Sequence, residues 1–171
     1  MQRYDRTVNG LPNGLDIGGP IQAEVFVIWL NGDHLELTGP CGAAPWIIAL
    51  GEVPDPMATV ERIVRDVIGA PRLLHSTSWR RDRQAVILTF VAVIDDDMVA
   101  WMESAPIGRA ELARSGATTA PSTIGTEQVV EHGLRHMAWL AVDDPVVASA
   151  LSPAWRTVLA GYAPEPFRSF G

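Results

Sequence analysis

Apolar runs separated by Gly-, Asn- and Pro-rich segments predict several short strands in the first third of the chain. The run QAEVFVIWL over 22–30 is β-branched and aromatic, which is typical of a largely buried strand. Asn31-Gly32 favours a type I′ hairpin turn, because both central positions of that turn need a positive φ. Residues 33–38 then alternate as in a half-exposed strand, and 46–50 form another short apolar run.

A helix is predicted directly after these strands. Asp55 can accept hydrogen bonds as an N-cap, and Pro56 suits the first helical position, where no amide hydrogen bond is lost. Gly69 can take the left-handed conformation that ends a helix, and Pro71 prevents its continuation. The helix over 56–68 is defined by an apolar face of Met57, Val60, Val64, Val67 and Ile68.

The rest of the chain predicts two more strands and then helices. A strand over 72–79 precedes one over 84–94, which is apolar on both faces, as expected of a central strand. A short helix is expected near 109–114, inside a segment of loose composition. Apolar residues at helical spacing predict two further helices, over 127–141 and 152–162.

The length and composition are those of one globular domain. The chain of 171 residues can bury a full core but is short for two domains, so we expect an arm over 1–20 and a single domain over 21–171. Apolar residues make up 47% and charged residues 19%, as in ordinary soluble proteins. All 13 basic residues are arginine, which with the abundant alanine indicates a GC-rich, bacterial coding bias.

Charge and targeting signals narrow the classes of partner. A formal net charge of −7 argues against a general nucleic-acid or anionic-membrane surface, since both need basic patches. The N-terminus has no apolar signal-peptide core, and no apolar run approaches the roughly 18 residues that span a bilayer. A single cysteine, Cys41, excludes an internal disulfide. We therefore expect a soluble, cytoplasmic protein.

The segment GEVPDPMATVERIVRDVIGA over 51–70 resembles the Nudix box of the Nudix hydrolases in a degenerate form. That box reads Gly, five residues, Glu, seven residues, Arg-Glu, an aliphatic, any residue, Glu-Glu, any residue, Gly, an aliphatic. Registration on Gly69 places Arg62 on the box arginine. The three positions of the metal-binding glutamates are then occupied by Ile63, Asp66 and Val67.

This resemblance implies an α/β (α+β) fold, with a mixed β-sheet sandwiched between helices. The order of the predicted elements over about 20–140 agrees with it. In an active Nudix hydrolase the helix glutamates hold Mg²⁺ against a diphosphate while water attacks phosphorus. Two of the three acids are replaced here by apolar side chains, which cannot hold a cation.

Two interpretations of the charged residues in this segment are open. In the first, Asp66 supplies one metal ligand, and Glu52 and Asp55 reach the same ion from the loop before the helix. In the second, the helix carries a solvated charged face made of two i,i+4 ion pairs, Glu61–Arg65 and Arg62–Asp66.

Two histidines, His132 and His136, lie four residues apart on the predicted helix over 127–141, a spacing that can bind Zn²⁺. No glutamate follows His132, so the His-Glu-x-x-His pattern of metalloproteases is absent. The alternative is a pair of surface or half-buried histidines. A metal site would need a third ligand from His34, His75 or Cys41.

Arginines are the candidate ligand-binding residues. Arg80, Arg81 and Arg83 crowd a turn predicted at 80–83, and the guanidinium fork suits a phosphate or an acidic partner. The box arginine, Arg62, is a further candidate. A solvated hairpin tip explains the three clustered arginines equally well without a ligand.

Most of the six tryptophans are expected in the core. Nudix-like pockets often stack a base on an aromatic ring, which needs only a π-face and a neighbouring donor or acceptor. A tryptophan exposed in a cleft would therefore indicate a binding site.

The leading functional interpretation is a Nudix-like ligand- or protein-binding module that lacks the standard metal site and needs no cofactor. The alternative is a hydrolase of a nucleoside diphosphate derivative that uses Mg²⁺ with Glu52, Asp55 and Asp66. A third interpretation is a structural partner that forms a homodimer through apolar helical residues around 137–140 and 155–159. The expected partner is a nucleotide-like small molecule or a protein.

Overall fold

The computed structural model describes residues 21–51, 53–83, 85–99, 101–112 and 124–162. The arm expected over 1–20 and the candidate ligand Glu52 lie outside these residues. The strands are β1 (Ile21–Asn31), β2 (His34–Thr38), β3 (Trp46–Ala49), β4 (Leu73–Asp82), β5 (Ala85–Val93) and β6 (Ser104–Pro106). The helices are α1 (Pro56–Val67), α2 (Asp96–Val99), α3 (Thr126–Asp143), α4 (Pro145–Ala150) and α5 (Pro153–Ala160).

A six-stranded mixed sheet forms the centre of the described structure. Five strands follow the order β4-β5-β1-β2-β6, and the sixth, β3, pairs with β1 off this path. β1 pairs in parallel with β5 along one edge. Its other edge pairs antiparallel with β3 near the start of the strand and with β2 near its end. β4 lies at the edge of the sheet and pairs antiparallel with β5, which is therefore a central strand, as its apolar sequence predicts.

Helices cover both faces of the sheet, because alternate residues of β1 point to opposite sides. Phe26 and Ile28 belong to a core shared with α3, α4 and α5. Val25 and Val27 belong to a second core, shared with α1 and α2. The architecture confirms the expected mixed sheet sandwiched between helices.

The residues predicted to start and end α1 take the expected positions at the two ends of the helix. The Asp55 carboxylate accepts a hydrogen bond from the Ala58 amide at 2.9 Å, as an N-cap should. Pro56 is the first helical residue, and Gly69 beyond the end has a φ of 138°. Local sequence therefore determines both ends of this helix.

The first hairpin turn lies one residue later than predicted. Asn31 pairs with His34, so the two-residue loop consists of Gly32 and Asp33. Only Gly32 has a positive φ, at 62°. A positive φ at the first loop position alone is the pattern of a type II′ turn, so the predicted type I′ turn is wrong.

The second hairpin is longer than predicted, because β4 runs to Asp82, which pairs with Ala85. Arg80 and Arg81 therefore belong to the strand, and the predicted turn at these positions is wrong. Arg83 lies in the loop with a φ of 51°. Each added strand pair satisfies backbone donors and acceptors, which favours a long ladder over an early turn.

Two of the four described helices after β5 were predicted: α3 and α5 match the expected helices over 127–141 and 152–162, whereas the one-turn α2 was not expected. α4 was not predicted, although Asp144 caps it and a proline opens it. No helix forms over 109–112, the described part of the short helix expected near 109–114, where the Ala110 amide bonds to the Glu131 carboxylate at 3.3 Å instead. Among the described helices, none is both long and apolar enough to cross a membrane.

Several apolar helical residues expected at a dimer surface are instead inside the protein. Met137, Trp155 and Leu159 are at most 4% exposed and belong to the core on the α3 face of the sheet. These three side chains cannot form a dimer face, and that part of the third interpretation is wrong. They pack against the sheet, which removes their apolar surface from water within the same chain.

Candidate functional site

The charged residues of α1 form ion pairs with one another on the solvent side of the helix. Arg65 Nη2 lies 2.6 Å from Glu61 Oε1, and Arg62 Nη1 lies 3.6 Å from Asp66 Oδ2. The four side chains are between 46% and 66% exposed. Both predicted i,i+4 pairs are thus present, in the arrangement of a solvated charged face.

The carboxylates considered as displaced metal ligands have other partners where they are described. Asp55 caps α1, and Asp66 pairs with Arg62. Within the described ranges, no group of three or more His, Cys, Asp or Glu side chains is arranged to hold a metal ion. A site that includes Glu52 stays a prediction, because that residue lies outside them.

Arg80 is bound to a buried carboxylate on β1. Its Nη1 and Nη2 lie 2.6 Å and 2.9 Å from the two oxygens of Glu24, and Nη1 donates to Thr89 Oγ1 at 3.3 Å. Glu24 is only 7% exposed. The hydrogen bond to Glu24 raises the pKa of Arg80, so the guanidinium stays charged and its charge is neutralised by this carboxylate.

The other arginines of this hairpin are placed differently. Arg81 and Arg83 are both exposed, on the strand end and in the loop. The three side chains predicted to form one cluster thus divide into one internal ion pair and two solvated cations.

A cleft opens between β4 and the first half of α3, and we call it the β4–α3 cleft. Its volume is about 230 Å³, and Trp79 beside it is 70% exposed. The cleft lies on the α3 side of the sheet, because Glu24 and Thr89, which hold Arg80, share a face with Phe26 and Val91 of the α3 core. It is lined by Ser78, Trp79 and Arg80 from β4, Gln128, Val129 and His132 from α3, and Leu112 and Ile124 beside them.

The arrangement of sheet and helices is similar to that of a solved structure, NrtR of Shewanella oneidensis. The match has a TM-score of 0.58 at 13% sequence identity, and covers 88% of this chain and 81% of the NrtR chain. NrtR is a Nudix-fold regulator. The fold of this chain is Nudix-like. No family model matches the sequence, and no curated protein matches it.

At 13% identity this likeness establishes the Nudix-like fold alone. It does not bear on the register of the box, so the assignment of Ile63, Asp66 and Val67 to the glutamate positions stays a prediction. The same holds for the candidate ligands of a metal and of a phosphate.

The histidines of α3 lie beside β4 in this Nudix-like fold. The His136 ring is 5.0 Å from that of His75 and is stacked on Trp139 at 5.7 Å, centroid to centroid. Burial lowers the pKa of His75, and the charge of His136 lowers it further. Burial likewise lowers the pKa of His136, with a smaller effect from His132. Both pKa shifts favour the neutral imidazole over the charged one.

Of the three candidate third ligands for a zinc ion, His75 is the one that the fold brings to His136. His34 lies next to Asp33, with its Nε2 3.0 Å from the carboxylate, and Cys41 is exposed. His136 is half-buried against His75 of β4, whereas His132 is exposed, an arrangement that agrees with the alternative of surface or half-buried histidines. The zinc site itself stays a prediction.

A buried carboxylate on α3 connects this helix to two other segments. Glu131 is fully buried and accepts hydrogen bonds from Arg109 at 3.0 Å and 2.9 Å and from Arg135 at 2.8 Å. Arg109 also donates to the Gly161 carbonyl at 2.6 Å and lies 4.2 Å above the Tyr162 ring. Burial pushes the pKa of Glu131 upward, but the hydrogen bonds from both arginines outweigh it and leave the pKa below its ordinary value.

Glu24 and Glu131 were not identified as buried acids from the sequence, although the apolar residues around each of them indicate burial. Each is an acid within an apolar strand or beside an apolar helix face, and a buried acid needs a partner. One partner of each is distant in sequence: Arg80 is 56 residues from Glu24, and Arg109 is 22 residues from Glu131, whereas Arg135 is four residues from Glu131 on the same helix. Only the folded chain identifies these pairs.

Proposed function

We propose that this protein is a small-molecule-binding module of Nudix-like fold that does not hydrolyse diphosphates by the standard metal-dependent route. The observation that carries the proposal is the charged face of α1, where the acids are paired with arginines of the same helix. Mg²⁺ needs carboxylates that are free to coordinate it together with the phosphates. An arginine beside each acid opposes such coordination.

The degenerate box adds support to this proposal. If Gly69 ends the box, Ile63 and Val67 stand where two metal-binding glutamates belong. Ile63 packs against the core on the α1 face, and Val67 is 37% exposed. Neither side chain offers an oxygen to a cation, which leaves Asp66 as the one acid among these three positions.

The β4–α3 cleft favours a small molecule over a protein as the bound partner. It is concave, and it combines apolar walls with a few polar groups, which is the usual composition of a ligand pocket. No resident metal is required for binding there. A cytoplasmic location and a homodimer remain expectations from the sequence.

A hydrolase with displaced ligands is the second candidate function. Glu52 and Asp55 precede α1 and Asp66 lies near its end, so an ion would have to draw on both ends of the helix. Asp55 already accepts the Ala58 amide, and coordination of Mg²⁺ would compete with this cap. The alternative therefore predicts that metal binding and α1 stability oppose each other.

The first experiment is thermal unfolding with and without Mg²⁺ or Mn²⁺, across a panel of nucleosides, nucleotides and nucleotide sugars. We expect stabilisation by at least one compound without any metal requirement, since a ligand that binds only the folded state raises the unfolding temperature. Turnover is then measured for every stabilising compound. Metal-dependent release of phosphate would overturn the proposal and establish the hydrolase.

Two variants distinguish capping from metal coordination. Asp55→Asn keeps an N-cap acceptor while removing the charge, and Asp66→Asn removes the acid of the Arg62 pair. The binding module predicts that neither variant changes the ligand-induced shift. A loss of shift or of turnover in both variants, with each folded, would favour the displaced metal site.

A further inference from the structure

We infer that the β4–α3 cleft binds a small, uncharged molecule that carries an amide-type carbonyl and an aliphatic group, with the carbonyl on the free edge of the Arg80 guanidinium. This inference rests on the proposed binding function and specifies its ligand. It differs from the sequence-based expectation that the arginines of this hairpin bind a phosphate.

The register of β4 decides which of its side chains face the cleft. Ser78 and Arg80 pair with residues of β5 on the face of the sheet that carries Val91 of the α3 core. Trp79 borders the cleft but pairs with Leu88, whose side chain packs against the core on the α1 face. The indole therefore points to the opposite face, and Ser78 and Arg80 are the side chains that β4 presents to the cleft.

Arg80 is fixed by its partners and still has hydrogen-bond donors to spare. Its Nη1 donates to Glu24 and to Thr89, and its Nη2 donates to the second oxygen of Glu24. A guanidinium has five N–H donors, so the Nε hydrogen and one Nη2 hydrogen have no acceptor among the described residues. These two hydrogens lie side by side on one edge of the planar group, and the side chain is 27% exposed. The free edge suits a carbonyl oxygen or a carboxylate.

Negative charge around Arg80 favours an uncharged acceptor over a carboxylate or a phosphate. The Glu24 carboxylate is 7% exposed and already neutralises the guanidinium. The hydrogen bond to Glu24 raises the pKa of Arg80 most, and the charge of Asp82 raises it further, so Asp82 also acts on this cation. An anionic ligand would add a third negative charge beside one positive charge, whereas an amide carbonyl accepts the same two hydrogen bonds without that repulsion.

The rest of the lining combines aliphatic surface with one further donor. Leu112, Ile124 and Val129 supply the aliphatic surface. Gln128 Oε1 accepts the Gly125 amide at 3.0 Å, which leaves the side-chain amide nitrogen of Gln128 as a donor at the cleft. The lining therefore fits a ligand that has both carbonyl acceptors and an aliphatic group.

The size of the cleft limits the ligand to a small molecule. Its volume of about 230 Å³ is below the roughly 300–1,000 Å³ that is usual for sites of drug-sized ligands. A single amino-acid residue with both ends capped is small enough, and it carries amide carbonyls and one side chain. N-acetyl-leucinamide has this form and no charge, so it is the compound for the test.

The test is an NMR titration of the ¹⁵N-labelled protein with N-acetyl-leucinamide at pH 6.5, which follows the backbone amides and the arginine Nε–H groups. The Arg80 Nε–H is assigned through its correlation to the Arg80 side-chain carbons. We expect saturable shifts at Ser78, Gln128 and Val129, and a downfield shift of the Arg80 Nε–H as it donates to the carbonyl. No saturable shift at millimolar concentration would overturn the inference, and so would binding that leaves the Arg80 Nε–H unchanged.

Two matched compounds test the two parts of the ligand. N-acetyl-leucine has a carboxylate in place of the terminal amide and should bind more weakly, by about threefold or more. N-acetyl-alaninamide lacks most of the aliphatic group and should bind about tenfold more weakly. A carboxylate that binds as tightly as the amide would overturn the preference for an uncharged ligand. Equal affinity for the alanine compound would overturn the role of the aliphatic surface.

Arg80→Lys keeps a positive charge beside Glu24 but removes the free edge, and it should weaken binding of N-acetyl-leucinamide about tenfold or more. Arg81→Lys is the matched control, because Arg81 is exposed and strand alternation places it on the opposite face. It should stay within about twofold of the native affinity. Equal effects of the two variants, with folding checked by circular dichroism, would overturn the contact with Arg80. The titration of the native protein tests the same contact if Arg80→Lys does not fold.

The two proposals fail in different ways. Metal-dependent hydrolysis of a diphosphate would remove the proposed function whatever binds beside Arg80. Metal-independent binding of another small molecule, with no response to N-acetyl-leucinamide, would remove the present inference and leave the binding function intact.

Discussion

Glu24 and Glu131 are both buried carboxylates that an arginine from another segment reaches: Arg80 binds Glu24 and Arg109 binds Glu131. A buried acid without a partner is strongly disfavoured, and even a paired one offers little net stability over an apolar residue. What such a pair does is fix which segments lie next to each other. Glu24 determines where the Arg80 side chain lies, and Glu131 holds the segment after β6 against α3.

We predict that Glu131→Ala lowers the free energy of unfolding by about 3 kcal/mol. The substitution leaves Arg109 and Arg135 without their shared carboxylate, and the Ala110 amide without its acceptor. Urea unfolding measures the change.

Glu127→Ala is the control for this prediction, because Glu127 lies on the same helix and is exposed. It should change stability by less than about 0.5 kcal/mol. A loss below about 1 kcal/mol in Glu131→Ala would mean that the network positions these segments without stabilising them.

At the scale of elements, α3 lies close to the sheet at Gly133. A Cβ built on this residue would lie 2.9 Å from Val91 Cγ2 and 3.6 Å from Thr77 Cγ2. Glycine inside a helix costs about 1 kcal/mol relative to alanine. Its position shows the compensating reason: the absent side chain lets the helix axis lie close to β4 and β5.

Gly133→Ala is expected to lower stability by about 1–2 kcal/mol, although alanine is the better helix former by about 1 kcal/mol. The methyl group forces α3 or the stiff Val91 side chain to move, and the cost of overpacking exceeds the gain in propensity. Chemical denaturation gives the value.

A double-mutant cycle with Val91→Ala tests the cause. Removing the Val91 methyl groups should make Gly133→Ala neutral or favourable, with a coupling of at least about 1 kcal/mol. Additive effects in the cycle would rule out the Val91 contact as the origin of the loss.

At the scale of the whole molecule, the His75–His136 contact lies at the junction between the edge strand and the longest helix. His75 Nε2 and His136 Nδ1 are buried, and neither has a hydrogen-bond partner among the described residues. The lowered pKa values of both rings follow first from burial and then from neighbouring histidines, while Asp144 partly offsets the effect at His75. Protonation therefore acts on the packing of α3 against the sheet.

We predict that the free energy of unfolding is constant above about pH 6.5 and falls as the pH drops below it. Because the pKa of each histidine is lower in the folded protein than in the unfolded chain, the unfolded chain binds protons at a higher pH. Stability therefore decreases as the pH falls from the unfolded pKa to the folded pKa, and it changes no further below the folded pKa. Urea unfolding between pH 8 and pH 5.5 measures this, above the range in which the lowered pKa of Glu131 matters.

His136→Gln should reduce this pH dependence, and His34→Gln should not, because the His34 side chain is 75% exposed. A native stability that does not change between pH 8 and pH 5.5 would contradict the prediction. Equal slopes in the two variants would assign the effect to other groups.

Much of the fold could be predicted, because its signals are local. Asp55 and Pro56 predict the start of α1, and the apolar sequence of β5 predicts a central strand. The candidate site was less predictable. Arg80 was expected on a solvated turn, and its partner Glu24 could not be inferred, since strand pairing across 56 residues decides their contact.

The amino-acid sequence alone determined the helix caps and the i,i+4 ion pairs of α1, because those depend on residues within one or two turns of each other. Of the apolar face predicted for α1, Val60 and Val64 are buried, whereas Met57 and Val67 are exposed. The tertiary structure alone decided which carboxylates are buried, which arginines neutralise them, and that Trp79 borders a cleft while Trp155 is in the core. Those outcomes depend on the register of β4 on β5 and on the approach of α3 to the sheet. Such contacts join distant residues, and no local pattern encodes them.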